Sequence, residues 1–280
     1  MRSFNRVTAL PPPADLMAIG PNPDAAPGRS VRSGIWLTHI LSLLFLLIWG
    51  AAASVLPDYL LPGPISVLRL AASLLTSPLF LWDAFCSVWH IAASIALALV
   101  VGMALALTVH FVPATRIAIN GRLNPFLSSF STIGWIFLSV IWFGLNDFSV
   151  IFVVAVTLLP FALSNLRTGL EQLDKETVEM ARSFGHRKTR LVGLVIMPLM
   201  VPYIFATLRI CLGVAWKVML TAELFGGTSG LGHLISRARA EFDTPAIFSV
   251  ILIIVVFVYA SDKFVLEPMQ MRLRRNYAVA

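Results

Sequence analysis

Arg209, Gly213, Lys217 and Thr221 stand four residues apart in a stretch that is otherwise almost wholly apolar. On a helix this spacing places them in one polar or small-residue stripe. A charge near the centre of a bilayer costs about 2.5–3.5 kcal/mol on insertion scales, so Lys217 belongs against the bundle interior or a watery cavity, not against lipid. There it could attract an anionic solute. It could equally pair with a carboxylate such as Glu223, or snorkel toward the outer interface, and Glu223 near the outer end of the same helix carries the same ambiguity. No catalytic constellation accompanies the stripe. His39, His90 and His110 share no metal-ligand spacing and no H-E-x-x-H pattern. No Ser-His-Asp set, paired carboxylates or G-x-x-x-x-G-K-[ST] phosphate loop is present. Cys86 and Cys211 lie far apart in apolar runs and read as packing residues.

The elements that must hold the stripe follow from composition. Of 280 residues, 58% are hydrophobic and 12% charged, with a mean hydropathy of +0.85. A soluble domain carries about a quarter of its residues as charges, and a disordered chain could not keep this much apolar surface in water. The chain must meet lipid. Apolar runs of spanning length predict six transmembrane helices, over 35–56, 84–111, 124–143, 148–163, 199–224 and 246–260. Residues 1–34 hold six prolines and predict a disordered tail. The 57–83 segment breaks at Pro57, Pro62 and Pro64 and then shows an interfacial helix over 65–75. Between 167 and 190 ten residues are charged, and 173–184 is amphipathic, with Gly185 placed to end a short helix in water. The glycines from Gly226 to Gly232 suit a gate, a subunit interface or a plain loop. Trp135, Trp142 and Trp216 could line a pore or anchor span ends at the interface.

Charge placement supports this count. Segments 1–34, 111–123, 165–198 and 261–280 hold sixteen of the 21 Lys and Arg residues, whereas the opposite loops hold only Arg69, Arg237 and Arg239. By the positive-inside rule both termini and the 165–198 loop are cytoplasmic. The net charge of +7 is then a topological feature, and no nucleic acid partner is implied.

Within the 165–198 loop the chain reads Glu179-Met180-Ala181, three residues, Gly185, nine residues, Val195-Ile196-Met197-Pro198. This resembles the Glu-Ala-Ala, Gly, Ile-x-Leu-Pro signature of the membrane subunits of type I ATP-binding-cassette importers, with its spacing intact. Leu61-Pro62-Gly63-Pro64, Trp135-Ile136, Ile141-Trp142-Phe143-Gly144, Ala222-Glu223-Leu224 and Gly230-Leu231-Gly232 look like elements of the branch for nitrate, sulfonates, taurine, bicarbonate and thiamine precursors. Phe137 stands where that branch usually has proline, which would leave the third span straighter. The resemblance covers about residues 60–267.

What the resemblance implies is an all-α, six-helix permease with its transmembrane domain over 84–267 and a basic tail over 268–280. Two copies would join two cytoplasmic ATPase subunits, which bind the ATP and Mg; this chain has no cofactor and no catalytic residue of its own. A periplasmic substrate-binding protein would deliver the solute. Glu179, Ala181, Arg182, Gly185 and Pro198 would form the coupling segment against the ATPase, although Glu179 and Arg182 share a helix face and could pair with each other. Arg209, Lys217, Thr221, Glu223, Gly230, Gly232 and Trp142 would serve the pathway or its gate. A gradient-driven transporter would show two related halves, and a membrane enzyme would show convergent catalytic groups; neither is visible.

Overall fold

The computed structural model describes residues 30–173 and 191–261, with positions 180 and 263. Among these residues every regular element is helical. Helix α1 is Ser30–Val55, α2 Pro64–Leu75, α3 Pro78–Phe111, α4 Pro113–Ser129, α5 Thr132–Phe143, α6 Asp147–Glu171, α7 Val192–Gly226, α8 Leu231–Ala240 and α9 Thr244–Ser261. By length and composition α3, α6, α7 and α9 can cross a membrane, and α4 with α5 makes a fifth span if the bent pair is one. Helix α1 contributes a further apolar run over Ile40–Val55, in a chain segment that clusters apart from the rest. The all-α membrane architecture expected from composition is therefore present, with a span count close to six.

The bundle is built around α3. The Ser77 side chain accepts the Phe80 N–H at its N-terminus and Pro78 opens the first turn, so the helix begins six residues earlier than apolar periodicity suggests. Its 34 residues reach about 51 Å at 1.5 Å per residue, longer than the hydrocarbon layer. Along it, α6 buries Val153, Val154, Leu158, Ala162 and Leu166, and α7 buries Cys211, Ala215 and Met219 in the same core. Gly102 allows the closest approach, since a Cβ there would lie 3.1 Å from the Ala162 Cβ. A smaller core joins α2, the start of α3, α8 and α9 through Ala71, Phe80, Leu231, Val250 and Ile253. There the Ser249 hydroxyl donates to the Val67 carbonyl.

Three differences from the expected spans have local causes. The third span is not one rod over 124–143: Phe130 and Ser131 are extended, and α4 meets α5 at 91°. Phe137 lies inside α5 without interrupting it, so the third-span helix is continuous where the related branch has proline. The fourth span does not close at Asn165. Helix α6 runs to Glu171, because Leu166 and Leu170 continue its buried stripe and Arg167 pairs with Glu171 at 2.9 Å. The stretch after Gly226 is not merely flexible, since residues 231–240 form α8.

If Gly102 sets the α3–α6 distance, Gly102→Leu should force the helices apart and cost about 1–3 kcal/mol. Gly193→Ala, with nothing within 4 Å of its added Cβ, should be neutral or mildly stabilising. Thermal unfolding of both variants in detergent checks this; equal midpoints would refute it.

Candidate functional site

Glu223 lies on the buried side of α7, turned away from Lys217 and Thr221. Each residue advances the helix by about 100°, so Glu223 is separated from Thr221 by about 160° and from Lys217 by about 120°. Arg209, Gly213 and Lys217 are exposed and Thr221 is half-buried, its hydroxyl donating to the Lys217 carbonyl. Glu223 is fully buried. It therefore does not pair with Lys217, correcting that alternative. Among the described residues Lys217 makes no ion pair.

Glu223 instead closes a polar cluster drawn from three helices and a turn. The Ser87 hydroxyl lies 2.9 Å from both carboxylate oxygens, and the Gly232 N–H donates to Oε2 at 2.9 Å. His90 Nδ1 lies 2.8 Å from Oε1, within hydrogen-bond reach, and donates there when that nitrogen carries the proton. The Leu231 N–H donates to the Ser87 oxygen at 2.8 Å, and the Gly230 N–H to Asp83 at 3.0 Å. Asp147, the first residue of α6, accepts from Ser229 at 2.8 Å and lies 3.6 Å from His90 Nε2, which has no hydrogen-bond partner.

Glycine is required where this turn passes the carboxylate. Gly230 has φ +103, and a Cβ there would collide with the Glu223 carboxylate. A Cβ on Gly232 would stand 2.6 Å from the Glu223 Cβ. The Gly-Leu-Gly element is thus the backbone cradle of a buried charge, with three successive N–H groups at the start of α8 aimed at Asp83, Ser87 and Glu223. Sequence analysis singled out Glu223, Gly230 and Gly232 but missed Ser87, His90, Asp83 and Asp147. The available signal was the helical spacing of Asp83, Ser87, His90 and Ser94 on one face of an apolar helix.

The remaining expected residues are distributed. Trp142 is exposed on α5, with its ring 6.3 Å from that of Phe152. Trp135 and Trp216 are buried, so neither is an interfacial anchor. Pro198 is exposed near the start of α7, just after a π-helical turn over Val192–Ile196. Glu179, Ala181, Arg182 and Gly185 lie outside the described residues. No group of three potential metal ligands occurs among the described residues.

Helix α7 thus carries a buried polar cluster around Glu223 and exposed cations at Arg209 and Lys217. Residues 98–266, more than half of the chain, match the binding-protein-dependent transport system inner membrane component family. The chain belongs to that family. The inner membrane component is also similar to the taurine transport system permease protein of Escherichia coli, at 28% identity over 82% of this chain and 86% of the relative. The bicarbonate transport system permease protein of Synechococcus elongatus is 26% identical over 85% of this chain and 89% of the relative. A Brucella melitensis protein named "Probable ABC transporter permease protein" is 30% identical over 67% and 76%. The inner membrane component described here is accordingly a non-catalytic permease subunit of an ATP-binding-cassette transporter in the inner membrane.

Loss of the buried carboxylate should be felt as lost stability. Glu223→Gln leaves one amide oxygen to serve three donors and should cost about 1.5–3 kcal/mol. Gly230→Ala should cost at least as much through its positive φ and the collision with Glu223. Lower unfolding midpoints for both are expected, and parent-like midpoints would show that the cluster contributes nothing.

Proposed function

We propose that two copies of this permease enclose the solute pathway of an importer for small anions, with the α7 stripe facing that pathway. The observation that carries this is the exposure of Arg209 and Lys217, eight residues apart on a helix that buries Cys211, Ala215, Met219 and Glu223 on another side. Lipid is a costly neighbour for two cations, whereas a watery path used by an anion is a favourable one. The names of the relatives that handle taurine and bicarbonate point to the same solute class. Trp142 and Thr221 would flank the path. Glu223, Gly230 and Gly232 would act on it indirectly, by holding the outer end of α7.

Two cytoplasmic ATPase subunits, binding the ATP and Mg, would drive the cycle through Glu179, Ala181, Arg182, Gly185 and Pro198. The spacing from Glu179 to Pro198 supports this assignment, and the absence of a phosphate loop from the sequence requires that hydrolysis be performed elsewhere. ATPase closure can shift the permease equilibrium only through surfaces it contacts differently in the two states, which is the task of such a segment. A substrate-binding protein would dock on the opposite side, where α2 and α8 lie. The distribution of Lys and Arg supports cytoplasmic termini.

Two substitutions separate these roles in the assembled transporter. Lys217→Gln should raise the half-saturating anion concentration by about tenfold, the equivalent of roughly 1.4 kcal/mol, and Lys217→Arg should recover most of it. Uptake into proteoliposomes measures this, and identical saturation curves for all three proteins would refute an anion path at Lys217. Glu179→Lys or Gly185→Trp should uncouple ATP hydrolysis from uptake while the chain still inserts. Unchanged solute-stimulated ATPase activity would remove the coupling role.

A further inference from the structure

A second site lies at the far end of the bundle from Glu223. The end of α3, the start of α4 and the end of α6 enclose a cavity of about 210 Å³. Its apolar wall is Ala106, Val109 and Leu170, and its polar rim is His110, Arg116, Arg167 and Glu171. Arg167 is only partly exposed and spends its Nε–H on Glu171 at 2.9 Å, which leaves the rest of its planar fork unused. Arg116 is exposed, and its side chain makes no hydrogen bond or ion pair among the described residues.

From this rim we infer that the cavity is a phosphate-binding site matched to the headgroup of an anionic phospholipid. Three features point to that ligand. With Glu171 neutralising Arg167, the rim keeps one net positive charge, which a phosphodiester monoanion balances. Guanidinium forks suit phosphate oxygens, presenting paired donors that a simple ammonium lacks. The apolar wall continues down helices that cross the bilayer, so a ligand held by its phosphate could lay its glycerol and first methylenes on Ala106, Val109 and Leu170. The site lies where α3 and α6 leave the apolar layer, the depth at which basic pockets between spans meet headgroups. Its placement in the cytoplasmic leaflet rests on the topology proposed above, but the binding chemistry does not. Lipid binding therefore stands or falls apart from transport.

The test is native mass spectrometry of the full-length permease released from vesicles containing phosphatidylglycerol and phosphatidylcholine of matched acyl chains. The expected result is selective retention of phosphatidylglycerol, weakened about fivefold by each of Arg116→Gln and Arg167→Gln. Arg116→Lys should fall between parent and Arg116→Gln, because it keeps the charge and loses the fork. Competition by millimolar inorganic phosphate in detergent, with no lipid selectivity, would assign the same site to free phosphate and overturn the lipid headgroup. Equal retention of both lipids, or selectivity unchanged in both Arg→Gln variants, would overturn the site altogether. Should Arg167→Gln fail to fold, Arg116→Gln, on an exposed residue, keeps the test decisive.

Discussion

A carboxylate buried in an apolar bundle has to receive all its donors from the protein, because lipid supplies none. Much of the structure at this end of the bundle follows from meeting that demand at Glu223. Three kinds of donor converge on it: a hydroxyl from α3, an imidazole from the next turn of α3, and a backbone N–H from the start of α8. Each donor is held in turn by something else. Ser87 is fixed by the Leu231 N–H, and His90 is flanked by Asp147 at the head of α6. One buried charge thus determines where three spans and the α8 turn stand relative to each other.

The same constraint divides α7 into two working faces. Glu223 is buried and Lys217 exposed, about 120° apart around the helix. Pairing the two within one helix is geometrically excluded, so the cation is left for whatever lies beyond the single chain. The buried face keeps the helix in place, and the open face is free to vary its charges without disturbing the weld.

How much of this was legible in the sequence depends on whether the signal was local. Spans announce themselves through apolar length, and the α7 stripe through its four-residue repeat, so both were readable. The bend at Phe130 and Ser131 was harder to read, because neither residue is a proline or glycine and the small polar residues Ser128, Ser129, Ser131 and Thr132 are compatible with a continuous helix. Helix α8 was hidden by the glycines before it and by its charged, weakly apolar composition. The partners of Glu223 were harder still. Ser87 and His90 come from more than 130 residues away, and only packing brings them together. His90 invited assessment as a metal ligand or a lone histidine; its use as a donor to a distant carboxylate leaves no pattern within one segment.

The π-helical interruptions of the hydrogen-bond ladder are distributed unevenly with respect to this weld. The π-helical turns over Ile119–Leu123 and Val192–Ile196, with the nearby Pro198 and Pro202, lie at the ends of the bundle remote from Glu223. At such turns the regular hydrogen-bond ladder is already broken, so bending there costs less than in an intact helix. At the Glu223 end, bending would strand buried donors around a carboxylate, each costing about 1–3 kcal/mol.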